Sequence, residues 1–264
     1  MYSFKRIITS GCSFSDPRLE HTWPHFLTST YDIPSNHLGL VSQGNGLIAR
    51  KAIYAVQEAL KSGIKPEDLL VGIMWSGPDR HDMYFSDLNE AIINTDGWVE
   101  NPTRISEEDH GGWLIMNHHW IEGRNKAYYS QFHDIVHQRV LTLEKMLWTQ
   151  EYLKGLGVPY FMTRFMDTDL LMPENVNTRW LESMIDYSYW LPIGSIHSWT
   201  YNYWTDEDYP LLDIEQRDGS MLSVRDFHPT FVMNEKFVEE VVLPFIRERY
   251  NNYYTPKFKT ISYG

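Results

Sequence analysis

The sequence predicts an α/β fold in which helices pack against a mostly parallel sheet. The first indication is the alternation of short apolar runs with amphipathic segments along the chain. The second is the segment from Leu69 to Trp75, whose two faces are both apolar, as in a central strand of a parallel sheet. The third is that small-residue turns directly follow the predicted strands, as they do where a strand leads into a helix.

Four strands and three helices account for the alternation. The strands are predicted at 4–9, 37–42, 69–75 and 158–165. The helices are predicted at 47–62, at 126–156 and from Asn234, as the N-cap, to about Tyr250. Gly63 and Gly157 suit the ends of the first two helices, and Pro244 predicts a bend in the third.

Two stretches interrupt the alternation, one at about 83–124 and one at about 167–222. Both follow predicted strand ends, so we interpret them as insertions above the carboxyl edge of the sheet in a single domain spanning 1–264. The second insertion is rich in Trp and Tyr. Ordinary packing against the core is the simpler explanation, and stacking on sugar rings is the alternative.

Composition narrows the class of protein. The chain has 264 residues and a formal net charge of -12, which argues against a general nucleic-acid or anionic-membrane surface. The single cysteine, Cys12, leaves no intramolecular disulfide. The sequence has no apolar run of about 20 residues and no signal-peptide pattern, so a cytoplasmic protein is expected by default. A component of a larger particle has the same features, and the oligomeric state is left open.

Three small-residue turns are expected to meet at one edge of the sheet. The first is the segment Gly11-Cys12-Ser13-Phe14 after the first strand, the second contains Gly44 and Asn45, and the third is Gly77-Pro78-Asp79-Arg80. Each turn follows a predicted strand, and the carboxyl ends of parallel strands share an edge. A serine in such a turn presents its hydroxyl, and sometimes a backbone N–H, to a bound substrate.

A second polar segment lies near the other end of the chain, in Arg225-Asp226-Phe227-His228-Pro229. An imidazole and a carboxylate close together supply a general base and the group that orients it. Ser13, Asp226 and His228 are therefore the candidate catalytic residues. Cys12 is interpreted as a small buried residue, because no base is evident beside it.

The order of these blocks resembles the SGNH/GDSL hydrolase superfamily along nearly the whole chain. The Gly-Cys-Ser-Phe run is similar to a known variant of that superfamily's nucleophile block, and Gly44 occupies the place of its second block. The resemblance implies a flavodoxin-like α/β/α sandwich and hydrolysis of an ester. It also implies an oxyanion hole that contains the N–H groups of Ser13 and Gly44.

Two blocks depart from the superfamily pattern. Asp79 lies in the region where the superfamily has an asparagine, and an ionised carboxylate cannot donate to an oxyanion. Three explanations stay open: Asp79 pairs with Arg80 and points away, Asn45 supplies the missing amide, or the site is weak or inactive. The second is preferred. In the last block, Asp226 precedes His228 by two residues instead of the usual three.

A metal site is the weaker interpretation of the histidines. His133 and His137 are four residues apart on the predicted long helix, but the chain lacks a His-Glu-x-x-His motif and a third ligand with recognisable spacing. Neither a metal nor a cofactor is expected.

The sequence therefore predicts a serine ester hydrolase that removes an acyl group, such as acetyl, from a carbohydrate or similar small ester. Asp79 and Arg80 are the candidate substrate-binding residues. The alternatives are an inactive glycan-binding or structural module of the same fold, and an acyltransferase that uses the same site.

Overall fold

The computed structural model describes residues 4–19, 21–86, 103, 105, 111–117, 123–167, 175–201, 211–215, 221–225 and 228–250. The strands are β1 Arg6–Ser10, β2 Ser35–His37, β3 Leu69–Trp75, β4 His81–Phe85, β5 Gly112–Met116, β6 Tyr160–Arg164, β7 Leu211–Glu215 and β8 Met221–Arg225. The α-helices are α1 Trp23–Tyr31, α2 Asn45–Lys61, α3 Gly123–Gln131, α4 Ile135–Leu156, α5 Val176–Glu182, α6 Ile196–Tyr201, α7 Phe231–Phe237 and α8 Leu243–Tyr250.

The main sheet has four parallel strands in the order β2-β1-β3-β6. Two antiparallel pairs, β4 with β5 and β7 with β8, lie outside it. The prediction of a mixed α/β protein with a mostly parallel sheet is confirmed. Strand β3 is buried along its whole length, as its apolar sequence requires.

The side chains of the central strands alternate between two hydrophobic clusters. Ile7, Leu70 and Met74 belong to the cluster that includes residues of α1, α7 and α8. Ile8, Val71 and Ile73 belong to the cluster that includes residues of α2 and α4. Because successive strand residues point to opposite faces, each face of the sheet has its own helical cover.

The structure corrects several predicted boundaries. The predicted helix 126–156 is two helices, α3 and α4, and Asp134 caps the second by accepting the N–H of His137. The predicted second strand is shorter and begins earlier, at Ser35–His37. Helix α1, with Thr22 as its N-cap and a proline in its first turn, was not predicted.

The last helix begins earlier than predicted, because Thr230 is its N-cap and Asn234 lies inside α7. A π-helical turn, Val238–Val242, joins α7 to α8. Pro244 lies two residues after the end of this turn and has no N–H to donate, so the irregular turn accommodates it.

None of the helices in the described part of the chain is both long enough and apolar enough to cross a membrane.

Candidate functional site

Ser13 and His228, 215 residues apart in sequence, are in hydrogen-bond contact. The distance from Ser13 Oγ to His228 Nε2 is 2.7 Å. Ser13 begins a 3-10 turn, Ser13–Ser15, immediately after β1. His228 lies just before Thr230, the N-cap of α7. The fold therefore brings together the hydroxyl and the imidazole that the sequence suggested as partners.

An aromatic contact chain connects this pair to the third predicted turn. The ring of Phe14 lies 4.6 Å from the His228 ring and 5.3 Å from the Phe165 ring. The guanidinium of Arg80 lies over the ring of Phe165, 5.0 Å from its centre. The Ser13 turn, His228 and the turn after β3 therefore converge at the carboxyl edge of the sheet, as expected for this class of fold.

The turn that carries Ser13 is held from both sides. Ser15 Oγ accepts a hydrogen bond from the Trp23 indole N–H at 2.8 Å. A Cβ atom at Gly11 would lie 2.4 Å from Ser15 Oγ, and one at Gly39 would lie 2.1 Å from the Ser15 carbonyl oxygen. Both positions need glycine because the chain approaches itself so closely there.

Asp16 anchors the end of the same turn. Its side chain is fully buried and accepts hydrogen bonds from Arg18 and from the N–H of Val41, the latter at 2.9 Å. Burial by itself raises the pKa of Asp16, but the hydrogen bonds from Arg18 and Val41 together hold it below its usual value. The carboxylate thus joins the Ser13 turn to the segment that leads to Gly44.

Asn234 fixes the position of the histidine loop. Its Oδ1 accepts the N–H of Trp23 at 3.0 Å, and its Nδ2 donates to the Pro229 carbonyl at 2.9 Å. The side chain is 3% exposed. One buried amide therefore connects the start of α1 to the residue that follows His228.

Asn234→Ala is expected to lower the free energy of unfolding by about 1–3 kcal/mol, because it leaves buried backbone groups without partners. Asn234→Asp keeps an acceptor for Trp23 but places a buried carboxylate against the Pro229 and Thr230 carbonyls, so a loss at least as large is expected at pH 7. Urea unfolding of the three proteins measures both effects. Equal stability of Asn234→Ala and the natural protein would contradict this role.

Gly44 does not present a free N–H to an oxyanion in this structure. Its N–H donates to Asp82 Oδ1 at 2.9 Å, and the N–H of Leu47 donates to Asp82 Oδ2 at 2.9 Å. Asp82 lies on β4 and caps the start of α2 from outside the helix. The prediction of Gly44 as an oxyanion donor is therefore wrong for this conformation, because a carboxylate already occupies that donor.

Burial raises the pKa of Asp82, although the hydrogen bonds from Gly44 and Leu47 and the nearby Arg50 and Lys51 act in the opposite direction.

Asn45 is also committed elsewhere. Its Nδ2 donates to the Ser76 carbonyl at 2.9 Å and to Thr142 Oγ1 at 3.1 Å, and its Oδ1 accepts the Ser76 N–H at 2.8 Å. Both amide hydrogens are used, so the prediction that Asn45 replaces the missing oxyanion donor is wrong here. The side chain instead holds the end of β3 against the first turn of α2.

Three predicted site residues remain: Asp79, Arg80 and Asp226. A carboxylate oxygen of Asp79 folds back toward Gly77, where an added Cβ would lie 2.3 Å from it. Arg80 lies over Phe165, as described above, and its Nη1 is buried without an acceptor in the described part of the chain. Asp226 lies outside the described residues, so its predicted contact with His228 remains a prediction.

The Ser13 N–H is the remaining member of the predicted oxyanion hole. It opens the Ser13–Ser15 turn, where the first N–H groups have no acceptor within the turn itself.

Among the residues that shape the site, the sequence did not single out Asp16 and Asp82, and it indicated Asn234 only as a helix N-cap. Asp16 had a local signal, since an acidic residue directly follows the serine turn. Asp82 had a weaker one, since it lies three residues after Asp79, just before the first predicted insertion. Asn234 is predicted as the N-cap of the last helix, whereas in the structure Thr230 is the N-cap and Asn234 lies inside α7.

The histidines considered as metal ligands lie around the break between α3 and α4. The ring of His133 lies 4.9 Å from that of Tyr129, and the N–H of His137 is bound by Asp134. Across the described residues, no group of three or more His, Cys, Asp or Glu side chains is placed to hold a metal ion.

Comparison with known proteins places the chain in a family without assigning it an activity. No curated protein and no solved structure shows significant similarity to it. One family model matches, that of a family of unknown function, DUF6071, and it covers residues 9–255. Because this match spans most of the 264 residues, the chain belongs to the DUF6071 family.

Proposed function

We propose that the protein is a serine ester hydrolase with Ser13 as the nucleophile and His228 as the general base. The observation that carries the proposal is the 2.7 Å contact between Ser13 Oγ and His228 Nε2. A neutral imidazole at this distance accepts the hydroxyl proton as the serine oxygen attacks. Ser13 is 5% exposed, so the reaction would take place largely shielded from bulk water.

The proposed reaction has two halves. Ser13 Oγ bonds to the acyl carbon while its proton passes to His228 Nε2, and the imidazolium then protonates the departing alcohol. Water attacks the acyl-enzyme with His228 again as base, and the acid leaves as Ser13 regains its proton. The Ser13 N–H would stabilise the oxyanion in both halves.

The fold proposal that accompanies this function is a flavodoxin-like three-layer sandwich in a single domain. It is supported by the strand order β2-β1-β3-β6, which is the order of the first four strands in that arrangement. The presence of a hydrophobic cluster on each sheet face also supports it. We infer further that the chain is similar to SGNH hydrolases, on the residues quoted for that resemblance.

We propose an acylated carbohydrate, such as an acetylated sugar, as the substrate class. A cavity of about 850 Å³ is lined in part by Arg164, which precedes Phe165 in the chain, and by Tyr187, Trp190 and Arg249. The guanidinium of Arg164 lies 4.8 Å from the centre of the Trp190 ring. Aromatic faces next to hydrogen-bond donors suit the apolar faces and hydroxyls of a sugar.

The engagement of Gly44 with Asp82 favours a second candidate, an inactive glycan-binding module. An oxyanion-hole donor typically contributes roughly 10²–10³-fold to turnover. With the Gly44 N–H held at 2.9 Å by a carboxylate and both Asn45 hydrogens used, two of the expected donors are unavailable in this conformation. The aromatic cavity would then bind a glycan without cleaving it.

Labelling with a fluorophosphonate probe tests the proposal. We expect covalent modification at Ser13, identified by peptide mapping, because the probe reacts with serine hydroxyls activated by a base. His228→Asn should lose the labelling. Ser130→Ala, which removes an exposed hydroxyl outside the site, should label like the natural protein.

The outcome separates the two candidates. Labelling at Ser13 that depends on His228 supports the hydrolase. An unlabelled Ser13, together with glycan binding that persists in Ser13→Ala, would replace it with the binding module.

A further inference from the structure

A cleft separate from Ser13 and its partners opens between α2 and the edge strand β2. Its volume is about 350 Å³, at the lower end of the roughly 300–1,000 Å³ typical of small-molecule sites. Helix α2 packs against β1 and β3, and the cleft lies between α2 and the outermost strand, β2. Arg6, Asn36, Lys51, Tyr54 and Glu58 are among the residues that line this space.

The chain pattern aims these side chains at the cleft from opposite sides. Arg6 and Ile8 are two apart on β1 and so share a face of the sheet, and Ile8 packs in the cluster under α2. Asn36 pairs with Ile8 in the parallel register, which places it on the same face. Lys51, Tyr54 and Glu58 follow helical spacing along one side of α2.

Neither Arg6 nor Lys51 forms an ion pair with a described residue. Arg6 Nε is buried and has no hydrogen-bond acceptor among the described residues. No ion pair reaches Lys51 within that same part of the chain, and Asp16 and Asp82 act on it only through space. Both of these carboxylates are already hydrogen-bonded, to Arg18 and Val41 in one case and to Gly44 and Leu47 in the other.

The one carboxylate among the lining residues does not neutralise this pair. Glu58 Oε1 lies 2.8 Å from Lys61 Nζ, so its charge is shared with a cation on its own helix. Arg6 and Lys51 line the same cleft without an ion pair to any described residue, which is unexpected in a chain with 35 acidic and 23 basic residues. A cleft that keeps such cations unpaired is suited to a bound anion.

Burying the charged ammonium of Lys51 in the cleft costs free energy. Burial lowers the pKa of Lys51 to about 8, in spite of the attraction of Asp82 and Asp16; Arg18 lowers it further. The charged lysine therefore destabilises the folded protein in the absence of an anion. Residues that reduce stability in this way are common at binding sites.

We propose that this cleft binds a phosphate monoester of a small molecule, with Arg6 and Lys51 as the phosphate ligands. The planar guanidinium of Arg6 matches two phosphate oxygens and the ammonium of Lys51 supplies the second positive charge, so a dianion satisfies both. The Asn36 amide adds a neutral donor. Tyr54, which is 38% exposed at the rim, offers a ring face to the organic part of the ligand.

Calorimetric titration at constant ionic strength tests the proposal, with inorganic phosphate, phenyl phosphate and acetate as the probes. Phosphate and phenyl phosphate should bind saturably and acetate much more weakly. Arg6→Gln and Lys51→Gln should each weaken phosphate binding about tenfold or more, since each removes a charge-assisted hydrogen bond. Lys65→Gln removes the same charge from an exposed position outside the cleft and should bind phosphate unchanged.

A variant that binds phosphate more tightly shows an effect that misfolding cannot produce. Glu58→Gln removes the negative charge from the cleft lining and should tighten phosphate binding about two- to fivefold. Equal affinity of Arg6→Gln, Lys51→Gln and the natural protein would overturn the proposal. So would the absence of saturable phosphate binding, or acetate binding as tight as that of phosphate.

Lys51→Met provides a readout that does not require a ligand. It should raise the melting temperature by about 2–4 °C at pH 7. Because the folded-state pKa is lowered to about 8 from 10.5, the cost of the charged lysine is fully present below pH 8. Between pH 8 and 10.5 the folded protein releases the proton first, so the gap should close as pH rises. At pH 7, phosphate should stabilise the natural protein alone and so reduce the difference in melting temperature between it and Lys51→Met. A difference that phosphate leaves unchanged would count against the site.

Discussion

Ser13→Ala is expected to lower the turnover of p-nitrophenyl acetate by at least about 10³-fold, because it removes the atom on which the proposed reaction forms the acyl-enzyme. The imidazole partner lies 2.7 Å from the missing oxygen, so His228→Asn should produce a loss of similar size. The double variant should be no slower than either single one, since the two groups act in the same step. Steady-state release of p-nitrophenol measures all three.

Two control variants test whether a loss of ester hydrolysis is specific to Ser13. Cys12 is fully buried beside Ser13, and Cys12→Ala should retain activity if the thiol is not the nucleophile. Ser130→Ala should also retain activity. Additive losses in Ser13→Ala and His228→Asn would contradict a shared step, and equal rates in Ser13→Ala and the natural protein would reject the nucleophile assignment.

Asp16→Ala is expected to reduce the free energy of unfolding by about 2–4 kcal/mol, because the buried N–H of Val41 loses its acceptor and Arg18 loses its partner. The loss should also slow ester turnover, since Asp16 holds the end of the Ser13 turn. Arg18→Ala is the matched control. The Arg18 side chain is 55% exposed, and its removal leaves the Asp16 carboxylate its hydrogen bonds from the backbone N–H groups of residue 18 and Val41, so it should cost less than Asp16→Ala.

The contribution of Asp16 also has a defined pH dependence. Its folded-state pKa lies below the usual 3.8, so the folded protein holds the proton less tightly than the unfolded chain. The stabilisation is complete above about pH 4 to 5 and is lost as pH falls through the folded-state pKa. Urea unfolding of the natural protein and Asp16→Ala from pH 7 to pH 3 should therefore show the difference in their free energies of unfolding decreasing. A difference that is constant over this range would contradict the assignment.

Much of the sheet could be predicted because its strands carry a local signal. Leu69 to Trp75 is apolar on both faces, and the structure buries all seven residues between two hydrophobic clusters. Helix α2 shows helical periodicity, and Gly157 at the end of α4 adopts the left-handed conformation that glycine favours, with φ of 71°. Period and turn chemistry depend on near neighbours, so they can be recognised in a single sequence.

Other elements lacked such a signal. Residues 132–134 interrupt a pattern that continues on both sides, so the break between α3 and α4 depends on the capping of a second helix by Asp134. Strand β2 has three residues and contains Ser, Asn and His, none of which marks a strand strongly. It exists because the edge of β1 offers parallel pairing partners.

The sequence alone determined the class of fold, the turn that carries Ser13 and the suggestion that His228 is its partner. Tertiary structure decided which groups the Gly44 N–H and the Asn45 amide bind. Their donors depend on Asp82 and Ser76, which are more than 30 residues away and reach them only through the packing of α2 against the sheet. Hydrogen bonds between distant segments leave no periodic trace in a sequence, because each requires two groups to meet in space and constrains neither one locally.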